Sequence, residues 1–179
     1  RRRRCQPHHH LEHTNRIAEF HCAVLVKVGG NGLRFGLQLA SSTTWLVTDA
    51  PVIAGNKEPG NEQAQALGAL GDSAVVDFVG LGGQCLDLAG ISARNLHAFL
   101  PSDYLTRQGQ FLKTRLPFLA GRNGISDFAQ VIANNTGPLV LLGMIDGAGE
   151  RGRVGGGVAT VDASLLQALK EWQHETTVV

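Results

Sequence analysis

The 179-residue sequence contains little cysteine, and the spacing of its cysteines excludes the usual structural uses of that residue. Its three cysteines, Cys5, Cys22 and Cys85, are an odd number at wide intervals. They predict neither a disulfide framework nor a Cys-x-x-Cys metal site. The chain is long enough to bury a hydrophobic core without covalent cross-links. A reducing compartment, the cytoplasm, is therefore the expected location.

The sequence also lacks a large excess of positive or negative charge. The formal net charge is +1, and four of the sixteen basic residues are Arg1 to Arg4, so the rest of the chain is slightly acidic. No basic face for nucleic acid is predicted. Residues 1–15 are expected to form a disordered basic, histidine-rich leader. The alternatives are a small patch for anionic surfaces and a weak metal-chelating tract at His8 to His10 and His13.

Long apolar runs and two common catalytic motifs are missing as well. Residues 5–19 supply neither the apolar stretch of about 7–15 residues found in secretory signals nor the roughly 20 residues of a spanning helix. We therefore expect no membrane association. The sequence contains no Gly-Lys-Ser/Thr phosphate loop and no Gly-x-Ser-x-Gly elbow, which disfavours nucleotide hydrolysis and serine hydrolysis.

Glycine, by contrast, is abundant, with 23 residues, ten of which lie in two clusters. In the first cluster, Gly71-Asp72-Ser73 leads into Val79-Gly80-Leu81-Gly82-Gly83. The second cluster spans residues 147–157 and follows an apolar run. Glycine clusters beside apolar segments are typical of tight turns, closely packed backbone or anion-binding loops. These two clusters are the parts of the sequence that indicate a site.

Alternating apolar residues near the start of the chain predict a β-hairpin. Residues 20–28 are expected to form its first strand, residues 29–32 the turn and residues 33–40 the return strand. Residues 43–48 predict a third strand, and the prolines and glycines of residues 49–60 predict a surface loop. The residues expected on the inner face of the return strand are Leu33, Phe35, Leu37 and Leu39.

Helical patterns dominate after residue 60. We expect one helix over residues 61–70, capped by Asn61, and another after Gly71, capped by Asp72 or Ser73. The inward residues of that second helix are expected to be Ala74, Val75, Phe78 and Val79. Further helices are predicted over residues 85–100, 103–116, 125–134 and 163–172, the last capped by Asp162. His97 lies near the end of a predicted helix, where a favourable interaction with the helix dipole is a sufficient reason for a histidine.

The end of the chain completes the predicted fold. Residues 138–145 are entirely apolar and predict a buried strand, and Leu165, Leu166, Leu169 and Trp172 share one helix face. We expect that face in the core, the alternative being a docking surface. Without repeats or linkers, residues 16–179 predict a single α+β domain. Its architecture is a mixed sheet with an N-terminal β-hairpin, packed helices and a buried strand before a glycine-rich loop.

The segments around the glycine clusters resemble a known family. The resemblance covers about residues 29–170 and is most specific from Gly71-Asp72-Ser73-Ala74 to Gly80-Leu81-Gly82-Gly83. In this order, the sequence is similar to the C-terminal half of the AllG (YlbE-like) family, a proposed subunit of oxamate carbamoyltransferase in anaerobic allantoin breakdown. The other matching segments are residues 31–36, 45–51, 117–118, 124–125, 138–140, 143, 152 and 154–158.

The chain also departs from the family pattern in its length and at residues 146–148. Family members are more than twice as long and carry a nucleotide-fold-like N-terminal region, so the chain is expected to be a fragment, a separate domain or a reduced relative. Family sequences tend to have His, Lys and Glu before the last glycine cluster, where this chain has Asp146, Gly147 and Ala148. A divergent or inactive member is therefore one alternative.

Carbamoyl transfer between oxalurate and phosphate moves a group between two anions, which implies N–H-rich or positive surroundings and no metal or other cofactor. The resemblance implies that Asp72 and Ser73 orient the substrate and that Arg151 or Arg153 contributes charge. The expected catalytic residues are Asp72, Ser73 and Arg153. The residues expected to bind the substrate are Gly80, Gly82, Gly83, Arg151, Gly152, Gly155 and Gly156.

The same residues have a structural interpretation, in which the glycines permit close packing, Asp72 and Ser73 cap a helix, and the arginines face water. A non-catalytic assembly domain or small-anion-sensing domain is accordingly the alternative function. The expected partners are a small anionic substrate, either a carbamoyl compound or phosphate, and partner subunits or further copies of this chain. Nucleic acid and membranes are not expected partners.

Overall fold

The computed structural model describes residues 24–40, 42–161 and 163–177, which form an α+β fold. The leader predicted over residues 1–15, the start of the first predicted strand at residues 20–23 and the helix cap predicted at Asp162 lie outside the described residues. The helices are α1 (Ala74–Phe78), α2 (Gly90–Leu96), α3 (Phe128–Asn134) and α4 (Ala163–Thr177). The strands are β1 (Leu25–Asn31), β2 (Arg34–Leu39), β3 (Leu46–Asp49), β4 (Ala54–Lys57), β5 (Leu70–Gly71), β6 (Leu112–Arg115), β7 (Asn123–Ser126), β8 (Leu139–Ile145) and β9 (Arg153–Thr160).

The predicted N-terminal hairpin is confirmed. Strands β1 and β2 pair antiparallel within a four-stranded sheet of order β3-β2-β1-β5. The turn is shorter than predicted, because the Asn31 side chain accepts hydrogen bonds from the amides of Leu33 (3.0 Å) and Arg34 (2.7 Å). Leu33 therefore lies in the turn with 69% of its surface exposed, whereas Phe35, Leu37 and Leu39 are buried as expected.

A second, three-stranded sheet of order β4-β9-β8 contains the predicted apolar strand. The loop predicted over residues 49–60 is wrong, since it contains β4, which pairs with the glycines of β9. A Cβ at Gly55 would overlap the carbonyl oxygen of Gly156, and one at Gly157 would overlap that of Ala54. Only glycine permits this close approach between distant segments. The glycine-rich loop after β8 accordingly ends at Gly152, and Gly155 to Gly157 continue as strand.

Two predicted helices are absent from the described residues. Residues 61–70 form turns, an isolated bridge and β5, because their amides bond to distant carbonyls: Leu67 to Ile145 (2.9 Å) and Ala69 to Pro51 (2.9 Å). Residues 103–116 form a 3-10 turn and then β6, which pairs with β7. In both cases tertiary pairing outweighs helix propensity.

Other helices are shorter than predicted. The helix expected over residues 85–100 is a 3-10 turn at Gly82–Cys85 followed by α2 and a 3-10 turn at His97–Phe99. The helix expected from residue 125 begins at Phe128, where the Asp127 carboxylate accepts the amides of Ala129 (3.0 Å) and Gln130 (3.2 Å).

Two apolar clusters lie on the two faces of the β4-β9-β8 sheet. The larger cluster includes Leu165, Leu166 and Leu169 of α4, with Trp172 partly buried against it, so the predicted apolar face lies in the core. The smaller cluster lies under α2 and consists of Leu86, Ala93, Leu139 and Val158. None of the helices formed by the described residues combines the length and apolar character that crossing a bilayer requires.

Candidate functional site

The first glycine cluster surrounds an internal carboxylate. Asp77 of α1 is 3% exposed. Its Oδ1 atom accepts hydrogen bonds from the amides of Gly83 (2.7 Å) and Leu141 (3.3 Å). The Gly83 amide, which the sequence assigned to a substrate oxyanion, is therefore engaged by a side chain of the protein itself. Asp77 links α1 to both the glycine cluster and the middle of β8.

Close packing accounts for the glycines of this cluster. Gly82 has a φ of 51° and its Cβ would overlap the Asp77 carboxylate, while a Cβ at Gly83 would overlap the carbonyl oxygen of Leu139. Gly80 has a φ of 99°, and its Cβ would lie 2.8 Å from the Cα of Gly124. These positions require glycine for conformation or space, irrespective of any ligand.

Gln84 bonds to the same strand, β8, which lies at the edge of its sheet. The Nε2 atom of Gln84 donates to the carbonyl oxygen of Leu139 (2.7 Å), two residues before Leu141, whose amide donates to Asp77. Gln84 is buried and its Oε1 has no hydrogen-bond partner among the described residues. Asp77 and Gln84 thus satisfy backbone groups that an edge strand would otherwise leave open.

Burial raises the pKa of Asp77 to about 6, against the lowering effect of its hydrogen bonds from the backbone amides of Gly83 and Leu141. Desolvation disfavours the charged carboxylate, and the described residues supply no ion-pair partner for it. Asp77 was not predicted as a site residue. One feature of the sequence could have identified it: Asp77 is a charged residue among the apolar residues of a short predicted helix that precedes the glycines.

The raised pKa of Asp77 predicts a pH dependence of stability. The folded-state pKa lies above the ordinary value of 3.8, so protonation stabilises the fold below about pH 4, and that stabilisation is lost as the pH rises through about 6. We expect the wild type to lose about 3 kcal/mol relative to Asp77→Asn between these limits. Urea unfolding across this pH range measures the difference, and parallel curves for the two proteins would contradict the assignment.

The predicted catalytic pair at the start of α1 is exposed. Asp72 and Ser73 precede the helix, and the Ser73 side chain makes no capping hydrogen bond. Val75, predicted to face inward, is exposed, and Asp77 takes the buried position instead. No hydrogen bond or ion pair within the described ranges links Asp72 or Ser73 to Arg153.

The second glycine cluster also surrounds an internal carboxylate. Asp146 accepts hydrogen bonds from the amides of Ala148 (3.3 Å), Glu150 (3.1 Å) and Arg151 (3.1 Å). Burial acts to raise its pKa, but these amides outweigh burial and hold the pKa below its usual value. Gly152 ends the loop with a φ of 68°, and its carbonyl accepts the amide of Asp146 (2.8 Å). Of the residues predicted to bind substrate in this cluster, Asp146 thus engages the amide of Arg151.

The two arginines of the second cluster differ in their surroundings. Arg151 donates to the carbonyl oxygen of Gly60 (2.9 Å) and to Oδ1 of Asn61 (3.2 Å), which ties it to a neighbouring loop. The Arg153 side chain is 64% exposed and pairs with Glu58 at 3.4 Å. Its Nε donates to the carbonyl oxygen of Gly155 (3.1 Å), a buried residue of β9.

Arg153 lies over a glycine floor, which we define as Gly143 of β8 and Gly156 of β9, neighbours across the two strands. A Cβ at Gly143 would lie 3.6 Å from Arg153 Nε, and one at Gly156 would lie 3.5 Å from Nη2. The guanidinium therefore rests on a surface without side chains. A planar guanidinium held in this way offers paired N–H groups suited to a carboxylate or a phosphate.

The described residues contain no convergent group of three or more His, Cys, Asp or Glu side chains that would hold a metal ion. Of the predicted site residues, the structure brings Arg153, Gly155 and Gly156 together and adds Gly143. Gly80, Gly82 and Gly83 lie around Asp77, while Arg151 and Gly152 belong to the loop around Asp146.

No protein-family model matches the chain, and no curated protein matches it significantly. A crystal structure of a conserved protein of unknown function from Enterococcus faecalis V583 is similar to 87% of this chain, with a TM-score of 0.65 and 18% identity. At that identity the similarity concerns the fold. The matched region covers 39% of the Enterococcus chain, so the present chain spans well under half the length of that protein.

Proposed function

We propose that the chain is a domain of a carbamoyltransferase-like assembly of the oxamate type, and that Arg153 binds the anionic carbamoyl compound or phosphate. One observation carries the proposal: the Arg153 guanidinium lies on the glycine floor with most of its side chain exposed. The resemblance of the sequence to the oxamate carbamoyltransferase family supplies the reaction class.

The geometry at Arg153 suits a small anion with two neighbouring oxygens. Oxamate, oxalurate and phosphate all present two or more oxygens to a guanidinium fork. The existing ion pair with Glu58 is long, at 3.4 Å, and exposed. Such a pair contributes about 0–1 kcal/mol, so a substrate anion displaces Glu58 at small energetic cost.

Arg153 alone does not make a catalytic centre. Asp72 and Ser73 lie at the start of α1, and Asp77 and Asp146 occupy the amides that would otherwise bind an oxyanion. In the proposed assembly Arg153 neutralises and orients the anion, and another part of the assembly supplies the groups that transfer the carbamoyl unit.

Thermal-shift titration with oxamate, oxalurate, carbamoyl phosphate and phosphate tests the proposal. A ligand that binds only the folded state stabilises it by RT ln(1 + c/Kd), where c is the free ligand concentration, so the unfolding midpoint rises with that concentration. We expect a concentration-dependent rise with at least one of these anions, and Arg153→Ala is expected to weaken binding about tenfold or more, since it removes a charged hydrogen-bond donor.

A matched control is available in the other sheet. Arg34 is also exposed and paired, with Asp49, so Arg34→Ala removes the same charge from a different surface. We expect this variant to bind oxamate as the wild type does. Equal weakening by both variants would indicate a general charge effect and would contradict a site at Arg153.

One observation favours the alternative, a non-catalytic assembly domain. Both glycine clusters are filled by internal carboxylates, and Leu88, Ile91 and Phe118 are each at least 70% exposed. Exposed apolar side chains mark contact surfaces where they form one contiguous patch. A folded chain that responds to none of the four anions, and that elutes as an oligomer sensitive to Ile91→Ser, would favour this function over carbamoyl transfer.

A further inference from the structure

An open groove of about 370 Å³ lies beside α2 and shares no residue with the Arg153 site. Its apolar floor is formed by Leu86 and Ala93, which belong to the smaller core cluster. Arg94, His97 and Tyr104 line its rim. Pockets of this size, with an apolar floor and a few polar groups, are typical of small-molecule sites.

The position of α2 is held by the sheet beneath it. The Asn56 side chain of β4 donates to the carbonyl oxygen of Asn95 at 2.6 Å. Leu86 and Ala93 pack with Leu139 and Val158 of the sheet. The α2 side of the groove is therefore held by packing against the sheet, which favours a preformed surface there. The opposite side is lined from turns, at Leu86–Asp87 and Tyr104–Leu105.

Charge in the groove favours an anion. Arg94 makes no ion pair or side-chain hydrogen bond with any described residue, and its guanidinium lies close to Gly90, whose Cβ would be 3.6 Å from Nη1. Asp87, the acidic residue of the groove, is engaged by two hydrogen bonds from Arg122, at 2.8 and 2.9 Å. The side-chain hydrogen bond from Arg122 holds the pKa of Asp87 below its usual value, so its charge remains balanced by Arg122.

We propose that this groove binds a small carboxylate with an apolar body. Arg94 receives the carboxylate, Leu86 and Ala93 contact the apolar body, and His97 and Tyr104 supply hydrogen-bonding groups at the rim. The helix-dipole interpretation of His97 is then incomplete, because His97 and Arg94 lie one turn apart on α2 and the turn that follows it, and both line the groove. This proposal does not rest on the function proposed for Arg153.

Isothermal titration with benzoate as the probe tests the proposal on the full chain. We expect saturable binding of benzoate, with affinity at least about tenfold lower for benzamide, which lacks the charge, and for acetate, which lacks the apolar ring. Arg94→Gln is expected to weaken benzoate binding about tenfold or more. Absence of saturable benzoate binding by the folded wild type would overturn the proposal.

Two further variants make the result specific. Leu105→Ser replaces an exposed residue that lines the groove and is expected to weaken benzoate binding while every charge is kept. Arg34→Ala, which removes an arginine that lies outside both proposed sites, is expected to leave benzoate affinity unchanged and so controls for the loss of one positive charge. If Arg94→Gln binds benzoate as the wild type does, or if Arg153→Ala alone abolishes binding, the assignment of the groove is wrong.

Discussion

Below about pH 4, where Asp77 is protonated in both the folded and the unfolded chain, Asp77→Ala is expected to lower the free energy of unfolding by about 3 kcal/mol. The variant removes the acceptor for the amides of Gly83 and Leu141 and leaves a small cavity in a buried place. Each buried donor without a partner costs about 1–3 kcal/mol. The loss is expected to be smaller above pH 7, since the wild type then has the additional cost of a buried charge.

Two control variants isolate the role of Asp77. Asp77→Asn keeps an oxygen acceptor for both amides and is expected to match the wild type below about pH 4, where Asp77 is protonated in the folded and the unfolded chain. Asp72→Ala, five residues earlier and exposed, is expected to change stability by less than about 0.5 kcal/mol. Urea unfolding at fixed pH measures all three. Similar stabilities for Asp77→Ala and Asp72→Ala would show that the internal carboxylate does not hold the glycine cluster.

Gly83→Ala is expected to lower stability by about 3 kcal/mol or more, the second large effect. The new Cβ would overlap the Leu139 carbonyl oxygen and lie 2.9 Å from the Leu139 Cβ. These are backbone and near-backbone atoms of a central segment of the fold, which cannot turn aside as a flexible side chain does. Forced overpacking of this kind costs about 1–3 kcal/mol and occasionally more.

Gly109→Ala is the matched control for Gly83→Ala. No atom lies within 4 Å of a Cβ at Gly109, and its φ does not require glycine. We expect a change within about 0.5 kcal/mol, measured by thermal or urea unfolding. If Gly83→Ala folds with wild-type stability and loses only anion binding, the oxyanion role predicted from the sequence would be correct and the packing role wrong.

Patterns confined to one segment predicted the fold well. The alternation of Phe35, Leu37 and Leu39 identified β2, and the apolar run of residues 138–145 identified β8. Both patterns reflect burial of one or two strand faces, which a local sequence encodes directly. The apolar stripe of α4 was predicted for the same reason.

Pairing between distant segments was not predictable in this way. Residues 61–70 have helical propensity, but their amides bond to Ile145 and Pro51, which lie far away in the sequence. The pairing of β4 with β9 depends on glycines that admit a neighbouring backbone, and the same glycines also fit a loop pattern. Local propensity is a weak guide where tertiary contacts decide the structure.

The candidate site was predicted only in part, because each glycine cluster has two uses in sequence and the structure selects between them. The amides of Gly83 and Arg151 donate to the carboxylates of Asp77 and Asp146. Both clusters therefore bind carboxylate groups of the protein itself. Arg153 was predicted as a source of charge. The glycine floor beneath it exists because β8 and β9 pair in a register that places Gly143 opposite Gly156. That register could not be predicted from the sequence.

Titration of isotope-labelled chain with oxamate, followed through the backbone amide resonances, tests most directly where the anion binds. We expect saturable shifts for Gly143, Arg153 and Gly156, little change for Gly82 and Gly83, and loss of the shifts in Arg153→Ala. Shifts centred on Gly82 and Gly83, with Arg153 and the glycine floor unaffected, would contradict the proposed site and favour substrate binding in the first glycine cluster.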